Sequence, residues 1–167
     1  MTEMETILGE IQKALDAGLY YLAVASALSL PDVCSALESP TGMTSGNQYK
    51  AWYDTWLASR YPNLTADDIY SLRCGVVHQG RFGHPKMQYS RVLFTIPNAN
   101  RNVYHNNILN DALNLDAPRF CQDIVESVSA WYESKKNDPN VTQNLPRLLR
   151  LHPNGLPPYM VGMPLIA

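Results

Sequence analysis

Leu64-Thr65-Ala66-Asp67-Asp68-Ile69-Tyr70-Ser71-Leu72-Arg73-Cys74-Gly75-Val76-Val77-His78-Gln79-Gly80 is the stretch on which the reading of this chain turns. Thr65 is placed as an N-cap, Asp68 at the third helical position completes a capping box, and Leu64 and Ile69 are spaced as a hydrophobic staple. The spacing predicts a helix starting at Thr65, and Gly80 supplies its C-terminal stop. Ile69, Leu72 and Val76 share one face and should point into a core, while at about 100° per residue Arg73 falls on the edge of that face. A permanent cation there needs a partner or a task, and His78 adds a titratable imidazole near the helix end.

Upstream, Ile7, Ile11, Leu15, Leu19 and Leu22 recur three or four apart and predict a long amphipathic helix over residues 2–28, with Pro31 ending it or opening a short new turn. Residues 39–47 are rich in Ser, Gly, Thr and Pro and read as a loop, followed by a helix over 49–60 carrying Trp52, Tyr53, Trp56 and Leu57. Tyr61-Pro62-Asn63 breaks the chain before the Thr65 helix. Downstream, residues 92–96 are β-prone and 103–109 form a weaker strand candidate, which together predict a β-hairpin insertion at about 88–110. Phe120, Ile124, Val128 and Trp131 mark a last long helix, with Asp116 as its cap and Lys135 and Lys136 favourable at its end.

Pro139, Pro146, Pro153, Pro157, Pro158 and Pro164 then change the composition, so residues 138–167 are expected as an extended tail lying on the domain or on a partner. The expected fold is therefore mostly α: one bundle of four to five helices over residues 1–137 with a small hairpin insertion. A chain of 167 residues, 46% hydrophobic and 17% charged, can bury one real core. No internal repeat is present.

The net charge of −2 conceals an asymmetry. Residues 69–110 contain no Asp or Glu but hold Arg73, Arg81, Lys86, Arg91 and Arg101, a charge of +5 against −7 for the remainder. Such a segment suits an anionic, phosphate-bearing partner, although a chance gap in acids within a polar loop has the same appearance. Cys34, Cys74 and Cys121 are odd in number, widely separated and without zinc-ligand spacing, which predicts reduced thiols in a cytoplasmic protein and no structural metal. The N-terminus lacks the pattern of a signal peptide, and the apolar stretch 18–30 is too short to cross a bilayer. Walker, nucleophile-elbow and dinucleotide-binding signatures are absent.

A helical bundle bearing Arg73, four intervening residues and His78 near a helix end resembles the HEPN family, the higher-eukaryote and prokaryote nucleotide-binding domains, whose ribonucleases carry an Arg-x(4 to 6)-His motif. The match is close over the motif helix and in outline over the bundle. The resemblance implies metal-independent RNA cleavage without a cofactor, in which the ribose 2′-hydroxyl attacks the adjacent phosphate. His78 would handle the proton and the Arg73 donor fork would stabilise phosphate charge. It also implies a homodimer through the motif helix, and a setting such as a toxin–antitoxin or phage-defence system with an antitoxin or defence protein as partner. Cys74 stands where many members carry Asn, Asp or His.

Gln79, Arg81, His84, Lys86 and Arg91 are the candidate substrate-binding residues, and Phe82, Tyr89 and Tyr104 have the chemistry to stack exposed RNA bases. Five residues separate Arg73 from His78, about 140° around and about 7.5 Å along an ideal helix. Either Gly75 and Gly80 let the helix end distort, or the pairing forms between chains. Two other readings stand beside catalysis: a non-catalytic module binding nucleotide, RNA or a protein, and a purely structural bundle. In the latter Arg73 pairs with an acid such as Asp32, Asp54 or Glu126 and His78 caps carbonyls.

Overall fold

The computed structural model describes residues 2–82 and 85–167. Among them are six α-helices, α1 (Glu3–Asp16), α2 (Tyr20–Glu38), α3 (Gly46–Trp56), α4 (Ala66–Gln79), α5 (Ala117–Lys135) and α6 (Pro139–Asn144). Thr65 caps α4 as expected: its side chain accepts from the Asp68 N–H, and the Asp68 carboxylate accepts from Thr65 N–H. Leu64 and Ile69 are buried beside this cap, and Leu72 and Val76 continue the buried face.

The long N-terminal helix expected over residues 2–28 is two helices. At Ala17-Gly18-Leu19 the Gly18 N–H bonds the Leu15 carbonyl and the Leu19 N–H bonds the Ala14 carbonyl, a Schellman closure with Gly18 at φ +71°. The apolar period runs on through the break in sequence only: Ile11 is buried, whereas Leu19 and Leu22, which continue the spacing, are exposed. Gly18→Ala should therefore lower stability by about 1 kcal/mol, measured by urea unfolding, through backbone strain alone. An added methyl group would meet nothing closer than 4.0 Å.

Pro31 does not end α2 but sits buried inside it. α2 packs on α1, α3, α4 and α5, which compensates for the hydrogen bond a proline removes. By length and composition α2 could cross a membrane, in contrast to the shorter run judged from the sequence, but half of it is buried in this core. The expected helix over 49–60 begins earlier, at Gly46 after the Ser45 cap, and gives way after Trp56 to a 3₁₀ turn over 58–60. α5 starts at the Asp116 cap, and its inner face buries Phe120, Ile124, Val128 and Trp131.

The insertion is not the expected hairpin. β1 (Arg91–Thr95) pairs in parallel with β3 (Ala112–Asp116), and β2 (Asn107–Leu109) pairs antiparallel on the other side of β3. The tight turn is Asn110-Asp111, both at positive φ (48° and 59°), the geometry that favours a two-residue connection between β2 and β3. β3 is buried along its whole length because it is the central strand, and its polar residues Asn114 and Asp116 are buried with the apolar Leu113 and Leu115.

Residues 138–167 are not simply extended. Asp138 caps α6 with Pro139 at its first position, Val141 is buried, and the buried Asn144 amide donates to the carbonyls of Leu37 and Ser39 at the end of α2. Beyond a 3₁₀ turn over 145–147 the chain forms a narrow ribbon in which β4 (Leu151–His152) pairs with β7 (Leu165–Ile166) and β5 (Gly155–Leu156) with β6 (Met160–Val161).

Candidate functional site

α2 and α4 run antiparallel. The Tyr21 ring near the start of α2 lies 6.3 Å from the Phe82 ring just beyond α4, and Asp32 further along α2 meets Arg73. Arg73 Nε donates to Asp32 Oδ2 at 2.6 Å, with both side chains largely shielded from solvent. Of the three acids considered from the sequence, Asp32 is the partner; Glu126 instead accepts from Arg60 at 2.9 Å. Burial holds the Asp32 carboxyl above its usual value, an effect that the attraction of Arg73 reduces.

The same guanidinium reaches its own chain's imidazole. Arg73 Nη1 lies 3.1 Å from His78 Nε2 and 3.9 Å from Cys74 Sγ. A guanidinium has no acceptor, so in this bond Nε2 must carry the lone pair and Nδ1 the proton. The separation of five residues is closed within one chain by the reach of the Arg73 side chain, α4 staying α-helical from Ala66 to Gln79. Beyond it the Gly80 N–H is shared between the Val76 and Gly75 carbonyls, the Arg81 N–H bonds Gly75, and Gly80 adopts the left-handed conformation at φ +62°. His78 is exposed at this helix end, while Arg73 is half-buried beneath it.

The candidate substrate-binding residues divide. Gln79 is exposed at the end of α4. Arg81 and Arg91 share an open cavity of about 720 Å³ with Phe82 and Tyr89 between the 81–90 segment and β1. Lys86 lines a different concavity of about 440 Å³, with Lys50, Asp67, Tyr70, Ser71 and Cys74. His84 lies outside the described residues. Phe82 packs on Phe94, ring centres 4.8 Å apart, and the Tyr89 hydroxyl donates to the Asn63 carbonyl, so both aromatics serve the packing of the segment. Tyr104 is exposed.

Sequence reasoning missed what fixes this basic segment. The buried Asp68 accepts from the Gln88 backbone N–H at 3.0 Å and from its side-chain amide at 2.6 Å, in addition to capping α4. The capping-box spacing identified Asp68, but nothing local could pair it with a residue twenty positions away.

His105 belongs to a separate cluster. Its Nδ1 accepts from the Asp116 N–H at 3.1 Å, leaving its proton on Nε2, which lies 3.8 Å from Asp123 Oδ2. Asp123 also accepts from Tyr61 at 2.6 Å and from Arg60 at 2.7 Å. Burial, then the neighbouring Arg119, holds the imidazole below its ordinary value of 6.5. Its contribution to stability is therefore complete above pH 6.5 and is lost as pH falls through the lowered folded value, because the unfolded chain takes up the proton first. The thermal midpoint is expected to fall less between about pH 7 and about pH 5 in His105→Gln, whose amide can still accept from Asp116, than in the parent.

All three cysteines are free, Cys34 and Cys121 buried and Cys74 half-buried beside Arg73. Among the described residues no group of three or more His, Cys, Asp or Glu is gathered as a metal site. Comparison of the chain with family profiles, with curated proteins and with solved structures finds no match in any of the three.

Proposed function

We propose that this chain is a HEPN-type, metal-independent endoribonuclease that acts as a homodimer, with Arg73 and His78 as its catalytic pair. The observation that carries the reading is the Arg73 fork, held by Asp32 at 2.6 Å and touching His78 Nε2 at 3.1 Å on an exposed helix end. A phosphodiester placed there would draw the Arg73 Nη1 donor onto its oxygens and so release the His78 Nε2 lone pair, which can then take a proton.

In this reading His78 takes the proton of the ribose 2′-hydroxyl. The 2′-oxygen then bonds to phosphorus while the bond to the 5′-oxygen breaks, leaving a cyclic phosphate and, once a proton is delivered, a 5′-hydroxyl. Arg81 and Arg91, in the cavity that begins where α4 ends, would hold neighbouring phosphates of a single strand.

Leu19, Tyr21 and Leu22 at the start of α2 and Val77 beside His78 are exposed, an apolar collar suited to a dimer through α4 and the α2 it packs on. A second copy of His78 across such an interface would protonate the leaving oxygen. The unpaired cysteines suit the cytoplasm, and the resemblance implies a toxin–antitoxin or phage-defence system supplying an antitoxin or defence partner.

The purified chain incubated with mixed cellular RNA in EDTA tests the reading: cleavage leaving cyclic phosphate ends is expected, and intact RNA counts against it. Two features favour a second reading, a non-catalytic module that binds nucleotide, RNA or a protein. Asp32 already occupies the Arg73 Nε, and Cys74 fills a position that is polar in many members. Retarded migration of RNA that is never cut would support that alternative.

A further inference from the structure

We infer that residues 148–167 form an arm that docks on a second copy of this chain, in the apolar groove along α2 beside Asp32. The arm leaves Leu149, Leu151, Tyr159, Met160, Val161, Met163 and Ile166 about half or more in water, with Tyr159 at 85%. Seven large apolar side chains on one ribbon amount to roughly the 800 Å² that each partner brings to a standard protein interface. A lone two-stranded ribbon is marginal in water, so this surface needs a cover. Within its own chain the arm's ion pair is Arg150 with Glu3 of α1, at 3.2 Å.

The groove is the complementary surface. Val33, Ala36, Leu37, Met43 and Leu148 line a cavity of about 430 Å³ that also includes Asp32, and Met43 is exposed over it. The lining carries Arg147 as well as Asp32, one charge of each sign, so the match to the arm is apolar rather than ionic.

A second copy is the occupant that the geometry favours, because Leu148 is at once the wall of the groove and the root of the arm. With a two-fold axis beside Arg73 and Asp32, the one step that rests on the proposed dimer, each copy's Leu148 approaches the other's groove. A ribbon advancing about 3.3 Å per residue then readily spans the ~10 Å width of α2. Each arm would close over the Asp32 that orients the other copy's Arg73.

The experiment uses the full chain with Tyr159 replaced by the photoreactive benzoylphenylalanine, mixed equally from nitrogen-15-labelled and unlabelled preparations. After irradiation, cross-linked peptides joining heavy to light chains within residues 32–44 are expected. Tyr159→Asp with Val161→Asp should weaken the dimer at least about tenfold by sedimentation equilibrium. Cross-links only within one chain would mean that the arm closes on its own groove, and no cross-link in that segment would place it elsewhere. Either result overturns the inference, as does a monomeric parent at micromolar concentration or a dimer untouched by the double substitution. RNA cleaved in EDTA without the heavy-to-light cross-link would remove the arm and leave the ribonuclease standing; the cross-link with RNA intact would do the reverse.

Discussion

His78→Ala is expected to leave cellular RNA intact in EDTA under conditions where the parent cuts it, a loss of at least about a hundredfold. The imidazole is exposed, so the substitution removes no core contact, and the variant should keep its fold and its dimer. Arg73→Ala should be at least as damaging to cleavage, because it removes the donor fork and also strands the largely buried Asp32 carboxylate. Arg73→Lys should not rescue it: an ammonium is a single point of charge and cannot hold Asp32 at 2.6 Å while meeting both His78 and a phosphate. Quantified cyclic phosphate ends, with circular dichroism as the check on folding, give the readout. Undiminished cleavage by His78→Ala would remove the catalytic assignment.

Asp68→Ala should lower stability by about 3 kcal/mol. This carboxylate is 3% exposed and accepts from Thr65 N–H at 3.2 Å, the Thr65 hydroxyl at 2.7 Å, Gln88 N–H at 3.0 Å and the Gln88 amide at 2.6 Å. Its loss uncaps α4 and leaves the donors of Gln88 without their partner. Urea unfolding should show a lower midpoint, and hydrogen exchange at the Gln88 amide should accelerate. Asp68→Asn, which keeps the shape and one carbonyl acceptor, should recover part of the loss. A midpoint equal to the parent's in Asp68→Ala would mean that water satisfies these donors. Because the same carboxylate fixes the segment bearing Arg81 and Arg91, the alanine variant also tests whether that segment must be anchored for RNA to bind.

The helices were legible wherever their information was local. The Thr65–Asp68 box, the Leu64–Ile69 staple and the Asp116 cap are decided by residues three to five apart, and the apolar faces of α4 and α5 by a period of 3.6. The break at Gly18 was not, because the apolar spacing continues through it, although Leu19 and Leu22 beyond it are exposed. Pro31 misled for the opposite reason: its local penalty is real, but packing on several neighbouring helices outweighs it. Parallel pairing of β1 with β3 was invisible because it joins residues 21 positions apart, with β2 between them in sequence.

The sequence by itself determined that this is a mostly helical chain, that Arg73 and His78 stand near the end of a capped helix, and that the segment around them is basic. Each follows from short-range spacing or from composition. Only the tertiary structure decided that Asp32 is the partner of Arg73 and that one chain closes the gap to His78. It alone placed Lys86 away from Arg81 and Arg91, and left the last twenty residues as an apolar arm. These are pairings between distant segments. They are set by how the helices pack on one another and how far the Arg73 side chain reaches, and no local spacing encodes them.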